Sequence, residues 1–153
     1  MNPERRMTRP FLPDDIAIAD LQTPYASAPE PKGALGNAEY AARNGKRVLA
    51  VFGADWCPDA RRFASVLALP QLQDFLSERY EIVLIDVGRY DRNIDLAAGY
   101  GLEKIEGAPA IVVADADGRV VNAGGAYDWR TARSRRPQEF ADFLAVYAEV
   151  PAP

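Results

Sequence analysis

Three short apolar runs stand out along the chain, each with the length of a buried strand rather than of a helix: Arg47-Val48-Leu49-Ala50-Val51-Phe52-Gly53, Glu81-Ile82-Val83-Leu84-Ile85-Asp86-Val87 and Ala110-Ile111-Val112-Val113-Ala114. The stretches between them carry helical spacing. Leu35, Ala38, Tyr40, Ala41 and Ala42 predict a short helix stopped at Asn44-Gly45. Pro58 suits the first turn of a helix that runs through Arg61 to Leu69, with Phe63, Val66 and Leu67 on one side. Pro70 restarts it, and Leu72, Phe75, Leu76 and Tyr80 mark a second apolar face. Gly88 to Asp91 reads as a loop and Arg92 to Tyr100 as a short helix ending near Gly101. After the third run, Asp115-Ala116-Asp117-Gly118 predicts a turn, with Arg119-Val120-Val121-Asn122-Ala123 returning antiparallel. Pro137 opens a last amphipathic helix bearing Phe140, Phe143, Leu144 and Tyr147. Helices between the first strands imply parallel pairing and the hairpin adds an antiparallel pair. The expectation is an α/β fold with a central mixed sheet flanked by helices.

Residues 1–32 lack this periodicity. Six of the twelve prolines fall there, at positions 3, 10, 13, 24, 29 and 31, which rules out a long helix or a central strand. The segment is expected as an extended Pro-rich arm, either mobile or laid on the domain at 33–150 with Ile16, Ile18 and Leu21 as its anchor.

Composition narrows the chemistry. The chain has 153 residues, 48% hydrophobic and 26% charged, which is enough to bury one core. It contains one Cys and no His, so a Ser-His-Asp or Cys-His pair, a Cys/His zinc site and an internal disulfide are all excluded. A formal charge of −4 is the wrong sign for a general nucleic-acid binder and favours solubility over adsorption to anionic membranes. No apolar stretch approaches the ~20 residues of a membrane span. Arg5, Arg6 and Arg9 are not followed by an apolar run. The chain as written reads as cytoplasmic, or as periplasmic if a leader has been removed.

The single cysteine lies where a buried strand turns into a helix. Free N–H groups and the positive end of the helix dipole favour a thiolate there, and Pro58 costs nothing because its missing N–H would have no partner. Thiols in such places ionise below the free value of about 8.5. Asp55 and Asp59 oppose this, so Cys57 is expected as a moderately activated thiol.

The segment Phe52-Gly53-Ala54-Asp55-Trp56-Cys57-Pro58-Asp59-Ala60 resembles the active-site segment of thioredoxin-like proteins, closest to the bacterial branch with a Trp-Cys-x-Asp-Cys motif. The resemblance runs from about Lys46 to Glu149 and takes in Ile85-Asp86-Val87-Gly88, Asp91-Arg92-Asn93 and Gly107-Ala108-Pro109-Ala110. It implies a thioredoxin-like fold, a cis Pro109 facing Cys57, and a substrate chain that pairs with the backbone of Ala108. It also implies Cys57 as the nucleophile and Trp56, Pro58, Ala108 and Pro109 as the substrate surface. No cofactor or metal follows from it. The implied partners are protein disulfides or thiols, and glutathione.

Two departures bear on mechanism. Ala60, native or introduced to trap mixed disulfides, stands where the family has its resolving Cys, and Val51 stands where thioredoxins proper carry a buried carboxylate. The two-thiol cycle is therefore absent. Two readings follow: a redox protein working through Cys57 alone and resolved by an outside thiol, or a redox-inactive fold used as a binding or chaperone-like module. Other motifs carry less. Asp115-x-Asp117-Gly118 lacks the remaining ligands of a calcium loop, and Gly99-Tyr100-Gly101 follows a helix where a nucleotide loop follows a strand. Arg130, Arg133, Arg135 and Arg136 read as a solvated loop partly offset by Asp128, Glu139 and Asp142.

Overall fold

A computed structural model describes residues 9–152; Pro3, Arg5 and Arg6 of the arm lie outside the described residues. The apolar runs form three strands: β1 (Arg47–Gly53), β2 (Tyr80–Asp86) and β3 (Ala110–Ala114). They lie in the order β2-β1-β3. β1 pairs parallel with β2, from Arg47 opposite Tyr80 to Gly53 opposite Asp86. It pairs antiparallel with β3, from Val48 opposite Ala114 to Phe52 opposite Ala110. With β1 central and helices over both faces, six of its seven residues are buried, which is why the run shows no polar alternation.

The period-two alternation of a strand sorts its side chains into two cores. Leu49, Val51, Ile111 and Val113 face α2 (Pro58–Leu67), α3 (Gln73–Arg79) and α5 (Pro137–Glu149), meeting Phe63, Leu76, Phe140 and Leu144. Val48, Ala50, Phe52, Val83 and Ile85 face the other way, against Leu35 and Ala38 of α1 (Pro31–Ala41) and Ala97 of α4 (Ile94–Ala98). Pro70 restarts the chain as a short 3-10 turn, Pro70–Leu72, before α3. α4 is shorter than the expected Arg92–Tyr100, because Asn93 is left-handed (φ 56°) and its Nδ2 donates to the Asp86 carbonyl at 2.7 Å, delaying the helix start.

The returning strand expected at Arg119–Ala123 does not form. A single bridge, Ala114 to Val120, continues the ladder, through the bonds from Asp115 N–H to the Arg119 carbonyl and from Val121 N–H to the Val113 carbonyl. The next ladder positions are filled by a side chain. Asn122, 4% exposed, accepts from Val113 N–H and donates to the Ile111 carbonyl, both at 2.9 Å. A primary amide offers both an N–H donor and a carbonyl acceptor, as a peptide unit does, so the β3 edge is satisfied and the backbone is free to turn away. The preceding Asp115–Gly118 turn is as expected: Asp115 Oδ1 accepts from the N–H groups of Asp117 and Arg119, and Gly118 takes φ 86°.

The Arg-rich stretch is not a solvated loop. It begins as a 3-10 helix, Asp128–Ser134, that buries Trp129 and Ala132. Trp129 packs 4.6 Å from Phe140 and 5.5 Å from Phe63, centroid to centroid. Three of the four neighbouring guanidiniums find a specific carboxylate: Arg133 with Asp59, Arg135 with Glu139, Arg136 with Asp14.

The described part of the N-terminal segment lies against the domain. Ile16 and Ile18 pack at its margin, but the fully buried residues are Leu12 and Tyr25, at 1% and 2% exposure. Leu12 N–H donates to Gln138 Oε1 at 2.7 Å, and Gln138 Nε2 returns a bond to the Pro10 carbonyl, tying this stretch to α5. Leu21 N–H donates to Ser65 Oγ on α2.

Candidate functional site

Gly53 ends β1 because a side chain there would occupy the same space as Tyr25: an added Cβ would lie 2.6 Å from the Tyr25 Cζ. Beyond it the backbone closes a tight turn, with Cys57 N–H donating to the Ala54 carbonyl at 3.0 Å. Cys57 is then the N-cap residue of α2, in extended conformation, and Pro58 occupies the first helical position. The carbonyl of Cys57 accepts the first helical bond, from Arg61 N–H. Its side chain caps nothing, which leaves the sulfur to face across the molecule.

What it faces is the turn before β3. Cys57 Sγ donates to the Ala108 carbonyl at 3.5 Å, and the Ala108–Pro109 peptide is cis. Both Ala108 and Pro109 are buried, and Cys57 as a whole residue is 8% exposed, so it meets solvent through only a narrow opening. Trp56 stands beside that opening, 39% exposed, its Nε1–H bonded to the Gly88 carbonyl at 2.6 Å. Thus Trp56, Cys57 and Pro58 meet Ala108 and Pro109, a third of the chain away, at one end of the sheet. Ala60 is on the inner side of α2, fully buried with Val51 and Phe63.

The two carboxylates nearest Cys57 in sequence are engaged elsewhere. Asp55 accepts from Tyr25 N–H at 2.9 Å and Ala26 N–H at 3.1 Å. Asp59 accepts from Arg133, through its backbone N–H at 2.8 Å and Nε at 3.4 Å. Arg61 braces the same corner: one Nη donates to the Asp55 carbonyl at 2.8 Å, and Nε lies 3.5 Å from Asp20 without an aligned hydrogen bond.

Two tyrosines that the sequence did not single out border the thiol. Tyr25 donates its hydroxyl to the Ala60 carbonyl at 2.8 Å; burial pushes its ionisation up strongly, and the negative charges of Cys57 and Asp55 add to that. Tyr90 meets Trp56 edge-on at 5.7 Å; burial raises its pKa first, then Cys57, with Arg130 acting in the opposite sense. Tyr90 is left-handed, φ 66°, which is costly for an aromatic residue and holds the ring toward Trp56. The only sequence signal for Tyr25 was a large aromatic inside a Pro-rich stretch. Tyr90 had none beyond its place in a loop.

Among the described residues no three His, Cys, Asp or Glu side chains are placed to hold a metal, and no helix is long and apolar enough to cross a membrane. No curated protein matches the chain. Among solved structures, a disulphide isomerase from Xylella fastidiosa Temecula1 is 34% identical, superposes with a TM-score of 0.75, and is matched over 84% of this chain and 99% of its own. A protein of unknown function from Pseudomonas aeruginosa is 16% identical with a TM-score of 0.43, over 78% and 84% of the two chains. The family of thioredoxin-like domains matches residues 37–131, from within α1, through the Cys57 junction and Pro109, to the 3-10 helix bearing Trp129. With that match spanning more than half of its length, the chain belongs to the thioredoxin-like domain family.

Proposed function

We propose that this protein performs thiol–disulfide exchange through one nucleophile, Cys57, and that a thiol from outside the chain completes each cycle. The observation that carries this reading is the position of the sulfur: at the N-terminus of α2, 3.5 Å from the Ala108 carbonyl, beside exposed Trp56. The likeness to a disulphide isomerase, at 34% identity over nearly all of that chain, supports the same chemistry.

In the step proposed, the Cys57 thiolate attacks one sulfur of a substrate disulfide. The new S–S bond forms as the old one breaks, and the departing sulfur leaves as a thiolate with the bonding pair. Trp56, Pro58, Ala108 and Pro109 form the surface on which the extended substrate lies. With Ala60 buried and apolar, no thiol of this chain can attack the mixed disulfide. Release then takes a second substrate thiol, which isomerises the substrate with no net electron transfer, or glutathione, which leaves as glutathione disulfide after a second equivalent reacts.

The test is turnover of a scrambled-disulfide protein and of a glutathionylated peptide in glutathione buffer, comparing the parent chain with Cys57→Ser. The expected result is loss of both activities in the variant. Equal rates would refute the reading and leave the fold as a binding module.

A further inference from the structure

The charges around the thiol are unevenly satisfied. Of the acidic side chains at this end of the molecule, the exposed Glu106 carboxylate has no partner among the described residues, but four others are held by local donors: Asp55 by Tyr25 and Ala26, Asp59 by Arg133, Asp86 by Gly88 N–H and Arg92, Asp91 by Arg89 N–H. Two guanidiniums are not. Arg89 stacks over the Trp56 ring at 4.9 Å and Arg130 over the Tyr127 ring at 5.4 Å. Both are exposed, and among the described residues neither has a carboxylate partner.

Each rests on a residue next to the thiol site in sequence, Arg89 on Trp56 and Arg130 on Gly107. Arg89 lies on the same Trp56 that borders the opening, on the Gly88–Asn93 loop, where three of six residues are left-handed. Arg130 reaches from the 3-10 helix with its aliphatic chain laid on Gly107, immediately before Ala108, and bonds the Glu106 carbonyl at 3.4 Å. Tyr90, edge-on to Trp56, is within electrostatic reach of both Cys57 and Arg130. A guanidinium stacked on an aromatic ring keeps its donor edge free for a carboxylate.

From this arrangement we infer that Arg89 and Arg130 select the substrate: polypeptide disulfides whose cysteine is flanked by Asp or Glu. The inference rests on the proposed exchange at Cys57. It runs against the chain's overall charge of −4, which would repel such a substrate unless local guanidiniums capture it.

The test uses three extended peptides, each with one cysteine joined to a neutral 2-thiopyridyl group and flanked by Asp, Asn or Lys. Attack of Cys57 on the peptide sulfur expels thiopyridone, read by absorbance. Each rate is divided by the rate of the same peptide with a small neutral thiol, which removes the effect of its charge on intrinsic reactivity. The expected result at low ionic strength is a preference for the Asp over the Lys peptide of about fivefold or more. In 0.5 M salt and in the double variant Arg89→Gln/Arg130→Gln that ratio is expected to collapse toward one. Arg119→Gln, at the far end of β3, makes the same change per residue in net charge and is expected to keep the ratio. No preference in the parent chain, or one that survives in the double variant, overturns the inference. So does a preference seen with glutathione disulfide but not among the peptides. If no peptide exchanges at all, the proposed chemistry falls. Anisotropy of labelled serine analogues bound to Cys57→Ser then decides the charge ranking by itself: Asp tightest sustains the inference, equal binding ends it.

Discussion

Substituting Gly53→Ala should destabilise the protein through Tyr25, a residue 28 positions away in sequence. The added Cβ would lie 2.6, 2.7 and 2.8 Å from Tyr25 Cζ, hydroxyl and Cε1, whereas non-bonded carbons settle at about 3.5–4.0 Å. The ring must therefore withdraw by about 1 Å. It has little room, being 2% exposed, with its hydroxyl on the Ala60 carbonyl and its backbone N–H on Asp55. Overpacking of this kind costs about 1–3 kcal/mol, and losing the hydroxyl bond adds about 1 kcal/mol, so the expected cost is about 2–4 kcal/mol. In a Tyr25→Leu background the ring is gone, and Gly53→Ala should become neutral or stabilise slightly through strand entropy. Urea unfolding of the four chains, followed by tryptophan fluorescence, gives the coupling directly; about 1 kcal/mol or more of non-additivity is expected. The same cost for Gly53→Ala in both backgrounds, or a cost under about 0.5 kcal/mol, would refute the claim that Tyr25 is what requires glycine at the end of β1.

Asn122→Ala leaves Val113 N–H and the Ile111 carbonyl without partners in a buried setting and should cost about 2–4 kcal/mol by urea unfolding; a loss under about 1 kcal/mol would mean that water or backbone takes over the amide's role. Ala60→Cys should install a thiol one helical turn from Cys57, so mild oxidation should remove both free thiols and disulfide-reductase turnover should appear; two thiols persisting after oxidation would show that the site no longer holds dithiol geometry. Alkaline pH should unfold the protein early. Burial raises the pKa of Tyr25 and Tyr80, and burial with the Glu39 charge and hydrogen bond raises that of Tyr100. The unfolded chain then loses protons first, so stability is retained below about pH 10 and falls above it. Tyr80→Phe should flatten that fall, and an unchanged slope would count against the assignment.

The parts of this fold legible in the chain are those whose signals are local. β1 and β3 begin and end where their apolar runs do, because strands buried on both faces need uninterrupted apolar sequence. The junction at Cys57 was legible for the same reason, since strand, tight turn and helix-starting proline are consecutive. The remainder depends on contacts between distant segments. Val120 and Val121 look like a strand, but the neighbouring Asn122 supplies the ladder bonds with its side chain, and no periodicity reports that choice. Ile16 and Ile18 are the obvious anchors of the Pro-rich segment, yet Tyr25 is held deeper because Gly53 and Asp55 leave a site shaped for it. Trp129 was masked by the arginines around it, although its aromatic neighbours Phe63 and Phe140 were already counted as core. Arg130 reaches the thiol end only through its contact with Gly107, 23 residues earlier in the chain.

The bonds between the Pro10–Leu12 stretch and Gln138 also set an order of events. Gln138 lies 126 residues beyond Leu12, so during synthesis the early segment leaves the ribosome long before its seat on α5 exists. The strands and α2 can assemble in the interval, but the stretch at Pro10–Leu12 can lock down only once α5 has emerged. The segment made early is among the last to be fixed. Tyr25, whose bonds go to Asp55 and to Ala60 of α2, needs no such wait, so the same segment is fixed in two stages.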